Sequence, residues 1–286
     1  MASASHADPS NPEFARALEI AQAVRAVEGQ ALFVGGWVRD RLAGWKSKDI
    51  DIEVYGVTAE HLRSLLERID RVDRVGESFT VYKVGGIDVS LPRRESKTGR
   101  GHRGFTIEGD PNLSFKEAAR RRDFTVNAIA WNPLTNQYLD PYQGQNDLKQ
   151  GILKMVDSQT FSDDSLRVLR AIQFAARFGF TLDEDTRTTC RSITLDDLPP
   201  ERIWGELEKL LLGSPRPSVG LTLALELGVI ERLFPELAAL IGCKQEPEWH
   251  PEGDVWTHTL LVVDQAASSL KAVSYTHLTL PTSDLV

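Results

Sequence analysis

The sequence predicts an α+β chain, with strands and helices mixed in its first half and helices alone beyond it. Three observations carry this. Strand-like and helix-like runs alternate over about the first half of the chain. Beyond them, apolar residues recur almost only at helical spacing. The length of 286 residues also exceeds what one simple core accommodates. A composition of 41% hydrophobic and 26% charged residues is that of an ordinary water-soluble protein, and no apolar run approaches the roughly 18 residues that span a bilayer. The start, MASASHADPSNPEF, lacks the basic and apolar regions of a secretory signal. Cys190 and Cys243 lie far apart without metal-ligand spacing, which predicts reduced thiols in the cytoplasm. A net charge of −8 weighs mildly against a nucleic-acid partner, although local charge can override the sum.

In chain order, residues 1–12 are polar, and Pro12–Val27 reads as a helix through Phe14, Leu18, Ala21 and Val24, so that 1–28 forms an N-terminal segment. Ala31–Val34 is a short apolar strand. Gly35-Gly36 then forces a turn whose backbone N–H groups can approach a ligand, and a helix starts near Trp37. The next strand alternates strictly. Ile50, Ile52 and Val54 share one face, and Asp49, Asp51 and Glu53 share the other. Carboxylates two residues apart on one face sit about 6.5 Å apart along the backbone and can converge on a hard cation. Alone, such a pair is more often a solvated face. Joined to a phosphate cradle, it suits metal-dependent nucleotidyl transfer.

Thr58–Ile69 reads as an amphipathic helix capped by Thr58. Thr80–Val84 and Ile87–Leu91 form a hairpin through Gly85-Gly86, with Asp88 either a third carboxylate of the metal site or a solvated edge residue. The run RRESKTGRGHRGF at 93–105 is a flexible basic loop, merely solvated or placed to touch RNA phosphates or a triphosphate. Ser114–Trp131 reads as one helix with a capping box, which places Arg122, Asp123 and Asn127 together on its surface. Asp123 and Asn127 can accept hydrogen bonds from ribose hydroxyls, and Arg122 can hold a phosphate. Asp140–Leu148 is a turn-rich joint.

Ser162–Phe178 reads as a helix with Ser162 at its N-cap, Asp163 and Asp164 in its first turn, and a stripe of Leu166, Leu169, Ile172 and Ala176. Asp164, Arg167 and Arg170 follow an i, i+3, i+6 series that reads as an ion-paired exposed face or as a recognition edge. Pro200–Leu212 is a structural leucine-rich helix, and Ser218–Leu240 reads as two helices with a break near Gly228. Residues 273–286 break the pattern that precedes them, as a non-native tail would.

Four of these stretches together resemble one family. GGWVRD at 35–40 with DID at 49–51, RRDFTVNA at 121–128, DDSLRVLR at 163–170 and ERIWGELEKLL at 201–211 resemble the motifs of the class II nucleotidyltransferases, the family of CCA-adding tRNA nucleotidyltransferases and bacterial poly(A) polymerases. Asp163 stands where that family usually has Glu. The resemblance implies that Asp49 and Asp51 are catalytic ligands of two Mg²⁺ ions. It also implies that Gly35, Gly36, Arg39, Arg122, Asp123 and Asn127 hold the phosphates and ribose of a nucleotide. Asp164 and Arg167 would meet the Watson–Crick edge of CTP or ATP, assisted by Arg170. The segment at 140–148 resembles the family's head-to-neck link and implies a hinge.

The implied organisation is a small mixed α/β head, a sheet with flanking helices, over 29–150, followed by an all-α neck over 151–213 and body over 214–245 and, from 246 to 272, the start of an HD-like domain. In that domain His258 matches the first metal ligand. The His-Asp pair that follows it in such domains does not occur in this sequence, so phosphohydrolase activity is not expected. The implied function is CCA addition to tRNA 3′ ends in the cytoplasm, with tRNA, CTP and ATP as partners and no membrane. Poly(A) synthesis, addition of CC or A alone, and a nucleotide- or RNA-binding remnant stay open as alternatives.

Overall fold

A computed structural model describes residues 11–47, 49–75, 81–97 and 105–277. The polar start, the middle of the basic run and the end of the chain lie outside the described residues. The chain folds as two compact units, Met1–Asp164 and Ser165–Val286.

The first unit contains α1 (Pro12–Ala26), β1 (Gln30–Val34), α2 (Gly36–Ala43), β2 (Asp51–Tyr55), α3 (Ala59–Leu66), β3 (Val72–Val75), β4 (Val81–Val84) and β5 (Ile87–Ser90). It continues with β6 (Arg93–Lys97), β7 (Phe105–Gly109), α4 (Phe115–Arg120), β8 (Ala130–Asn132), β9 (Gln137–Leu139), α5 (Gly144–Gln150) and α6 (Ser158–Ser162). Seven strands form one sheet in the order β3-β4-β5-β2-β1-β8-β9. Only β2 and β5 run parallel, and their register sets Asp51 opposite Asp88. β1 is buried on both faces. Ala31 and Phe33 join a core with Phe14, Trp37, Ile52, Leu62 and Trp131, while Leu32 and Val34 join a second with Tyr55, Phe115, Ala118 and Ala130. A strand apolar from Ala31 to Val34 belongs inside a covered sheet, and β1 lies between β2 and β8.

The long helix expected over Ser114–Trp131 ends at Arg120. Its capping box forms as expected, with Ser114 and Glu117 bonded reciprocally. The Asp123 carboxylate then accepts from the Phe124 N–H at 2.7 Å, a local bond that competes with helix. Phe124 is extended, a single 3₁₀ turn spans Thr125–Asn127, and Ala130–Asn132 pairs with β1 as a strand. The basic run is also corrected, because its start and end pair as the antiparallel ribbon β6–β7.

The joint at 140–148 is fastened by side-chain hydrogen bonds that clamp it to its neighbours. The Asp140 carboxylate caps α5, accepting from the Gly144 and Gln145 N–H groups at 2.7 and 2.9 Å. Thr125 Oγ1 donates to the Asp147 carboxylate at 2.6 Å. The two units divide after Asp164.

The second unit contains α7 (Leu166–Phe178), α8 (Glu184–Ser192), α9 (Pro200–Gly213), α10 (Pro217–Glu226), α11 (Val229–Leu233), α12 (Pro235–Ala238) and α13 (Val255–His277). Ser162 therefore ends α6 rather than capping α7, whose N-cap position is Ser165, and 217–238 holds three helices rather than two. α7 is buried around most of its circumference, so it is the axis of this unit, with α9 and α10 against it. Gly220 permits the crossing: a Cβ there would fall 2.4 Å from Leu210 and 3.1 Å from the Ile172 carbonyl. Among the described residues, no helix is long and apolar enough to cross a membrane.

Candidate nucleotide and metal site

The first unit gathers the candidate residues where β1 ends and β2 begins. Gly35 adopts φ 71°, ψ −138°, a conformation that a side chain would strain. α2 starts immediately after it, and the first N–H groups of a helix have no acceptors within the helix. A Cβ on Gly35 would meet the Arg122 guanidinium at 3.2 Å and Asp51 Oδ2 at 3.5 Å. The cradle, one metal-ligand candidate and one phosphate-ligand candidate therefore converge on a single glycine.

Beneath the cradle lies a buried polar chain. Arg39 Nε and NH2 donate to Asp40 Oδ1 at 2.8 and 2.6 Å. Arg39 NH1 donates to Asn127 Oδ1 at 2.7 Å, and Asn127 Nδ2 donates to Asp123 Oδ1 at 2.9 Å. All four residues are buried. Asp123 and Asn127 thus come together as expected, but through a turn rather than along a helix face, with Arg122 bonded to the Asn127 carbonyl and Arg39 joining them from α2. The network ties α2 to the 3₁₀ turn and fixes the cradle between them.

Asp49 and Asp51 are exposed, with Asp51 at the start of β2. Although solvent reaches it, Asp51 sits low among protein atoms, and that desolvation raises its pKa to about 6. Arg122 opposes the rise, while Asp88 and Asp49 add to it. Asp88, opposite Asp51 in the parallel pair, accepts from Lys83 Nζ at 2.6 Å. A donor set of hard carboxylate oxygens, one of them disfavoured as a bare anion, fits a divalent cation such as Mg²⁺. Among the described residues, Asp49, Asp51 and Asp88 do not form a tight three-ligand cluster. Like charges repel, and a metal-free carboxylate group has that reason to stay open.

Glu53, two residues along the same face, is 1% exposed. Tyr55 donates to its Oε2 at 2.7 Å, and Arg121 NH2 to its Oε1 at 2.9 Å. Arg122 NH2 lies 3.6 Å from the same Oε1. Burial raises the Glu53 pKa, but the Arg122 and Arg121 charges and the Tyr55 hydroxyl outweigh it and hold the carboxyl below its ordinary range. Sequence reasoning placed Glu53 on the polar face of β2 without giving it a role, and it missed Tyr55, Arg121 and Lys83 as neighbours of the site. The available signal was the pair of consecutive arginines at 121–122, more charge than one phosphate ligand requires.

Asp164 closes the first unit, and Arg167 and Arg170 lie on α7 in the second. All three are half-buried, unlike a freely solvated face. The Arg170 guanidinium sits over the Phe174 ring at 5.0 Å. Further along, His258 Nδ1 and His250 Nδ1 lie 2.6 and 3.1 Å from Glu252 Oε1. Among the described residues these form the one three-residue group tight enough to hold a metal ion. The backbone at Glu252 and then the two histidines hold its pKa down at about 2.

Comparison with known proteins bears directly on this geometry. Residues 31–154 match the poly A polymerase head domain family, and residues 179–241 match the family described as the probable RNA and SrmB-binding site of polymerase A. The multifunctional CCA protein of Stenotrophomonas maltophilia is 42% identical over 243 residues, covering 82% of this chain and 58% of the relative. That of Xanthomonas campestris is 40% identical, with the same coverage. The chain therefore spans a little over half the length of these curated relatives. The Thermotoga maritima CCA-adding enzyme complexed with tRNA superposes with a TM-score of 0.67 at 28% identity, over 81% of this chain and 54% of that one. The Bacillus stearothermophilus CCA-adding enzyme in complex with CTP gives 0.65 at 29%, over 77% and 53%.

Proposed function

Because the chain belongs to the poly A polymerase head-domain family of nucleotidyltransferases, we propose that it adds CCA to tRNA 3′ ends from CTP and ATP, releasing pyrophosphate. The observation that carries this reading is the convergence of Asp51 and Arg122 on the Gly35 turn, a carboxylate and a guanidinium at the mouth of one backbone cradle. The relatives' names and the bound CTP and tRNA of the similar structures support the same substrates.

In this reading Asp49 and Asp51 hold divalent cations, Mg²⁺ by the hardness of their oxygens. A metal held there would lower the pKa of the attacking hydroxyl and neutralise charge on the triphosphate. Gly35, Gly36 and Arg122 receive the triphosphate, with Arg39, Asp123 and Asn127 braced as one network under the ribose. The tRNA 3′ oxygen forms a bond to the α-phosphorus. The bond from that phosphorus to the β-phosphate oxygen breaks, pyrophosphate carries off the electron pair, and the hydroxyl proton passes to solvent. Asp164 and Arg167, an acceptor and a donor fork, read the edge of C or A, with Arg170 beside them.

The domain assignment given above, with head, neck and body ending at 150, 213 and 245, belongs to this proposal, as does a cytoplasmic location. The test uses tRNA transcripts ending at the discriminator base, at C and at CC, each with Mg²⁺ and one or both nucleotides. Stepwise addition that stops at CCA establishes the reading. Long A-tails, or arrest after CC or after one A, assign one of the other products, and no incorporation by folded protein points to a binding remnant.

A further inference from the structure

Glu53 is a carboxylate without solvent, on the strand that carries Asp51 and on the same face. Burying an ion is unfavourable unless partners surround it, and here every partner belongs to the site's own neighbourhood. Tyr55 fixes one oxygen, while Arg121 and Arg122 share the other. Arg122 is also held at its far end, where NH1 donates to the Asn127 carbonyl at 3.4 Å. Two guanidiniums on one carboxylate leave a single positive charge in surplus, beside the Gly35 turn.

We infer that Glu53 is a positioning residue that aims the Arg122 guanidinium over the Gly35 cradle, where it receives the triphosphate of the incoming nucleotide. This rests on the nucleotidyltransferase reading above. The arrangement also keeps Arg122 from pairing with Asp51. Without the Glu53 charge, Arg122 is left facing Asp51 at the Gly35 turn, where both groups approach one Cβ position, and a metal ligand is then neutralised by its own neighbour.

The test is calorimetric binding of CTP with Mg²⁺ to the full chain, in wild type, Glu53→Gln, Arg122→Gln and the double variant. Glu53→Gln raises the net charge of the site by one, so a mere counter-charge would predict tighter CTP binding. Positioning predicts the opposite, a Kd raised by about tenfold or more. It also predicts that Glu53→Gln has no further effect once Arg122 is Gln. Unchanged or tighter binding by Glu53→Gln overturns the inference, and so does an equal loss in both backgrounds. Where Glu53→Gln fails to fold, Tyr55→Phe carries the test, since it removes one hydrogen bond and no charge. Weakening of about threefold supports the role, and wild-type affinity overturns it. If the wild type itself binds no CTP, the functional reading falls and the role with it; if only the variants behave as wild type, the positioning role alone falls.

Discussion

Replacing Gly144 with alanine tests whether the clamp at 140–148 holds the site together. The new Cβ would fall 2.0 Å from the Thr125 carbonyl oxygen, 2.6 Å from its carbon and 3.0 Å from Ile129. The nearest obstruction is backbone, so no side chain can swing aside, and the 3₁₀ turn at Thr125–Asn127 has to move. Overpacking costs about 1–3 kcal/mol, and a backbone collision belongs at the upper end. For a unit of this size about 3 kcal/mol lowers the melting temperature by about 6–12 °C. The same displacement pulls Asn127 from Arg39, now bonded at 2.7 Å, so nucleotide incorporation falls with stability. The assay is thermal unfolding followed by circular dichroism, with Gly205→Ala as the contrast. Gly205 lies inside α9 with nothing within 4 Å of its added Cβ, so alanine there stabilises the second unit by about 0.4–1 kcal/mol. A Gly144→Ala protein melting within about 2 °C of wild type would refute the reasoning.

Asp51→Ala leaves the far-ultraviolet spectrum unchanged and lowers nucleotide incorporation by about a hundredfold or more, and substantial residual turnover would remove Asp51 from the metal site. Arg167→Ala blurs the choice between CTP and ATP by about tenfold, read as the ratio of the two incorporation rates on a transcript ending at the discriminator base; unchanged selectivity denies it a base-reading role. The raised Asp51 pKa, about 6 against an ordinary 3.8, means that the fold favours the protonated form. Its contribution to stability is complete below the unfolded value and is lost as pH rises through 6. In metal-free buffer Asp51→Asn therefore melts above wild type at pH 7.5, with the gap closing toward pH 4.5, and Mg²⁺ raises the wild-type melting temperature at pH 7.5 without raising that of the variant. A gap independent of pH, or an equal Mg²⁺ response in both proteins, contradicts this assignment.

Much of the fold was legible because its signals are local. The β1 strand, the Gly35 turn, the alternation of β2, the Ser114 capping box and the stripe of α7 each follow from residues within one element. What misled the reading was competition between local and long-range partners. Apolar spacing at 115–131 suits one long helix, yet the Asp123 side chain takes the Phe124 N–H and β1 takes Ala130–Asn132. Ser162 reads as a cap from its neighbours, but helix α6 ends there and α7 begins after Ser165. In the candidate site the family-like letters located the cradle, whereas the burial of Glu53 depends on tertiary packing that no spacing in β2 reveals.

The strand order has a consequence for how the chain is made. β1 supplies the wall of the cradle and is buried on both faces, yet one of its edges pairs with β8, so that Phe33 waits for Trp131. At synthesis rates of about 5–20 residues per second, that apolar edge stays open on the ribosome for about 5–20 s. Throughout that interval it is a template for any other extended chain nearby. The strand that leads into the Gly35 turn thus waits longest in the sheet for a partner, and completion of β8 both protects the nascent chain and closes the candidate site.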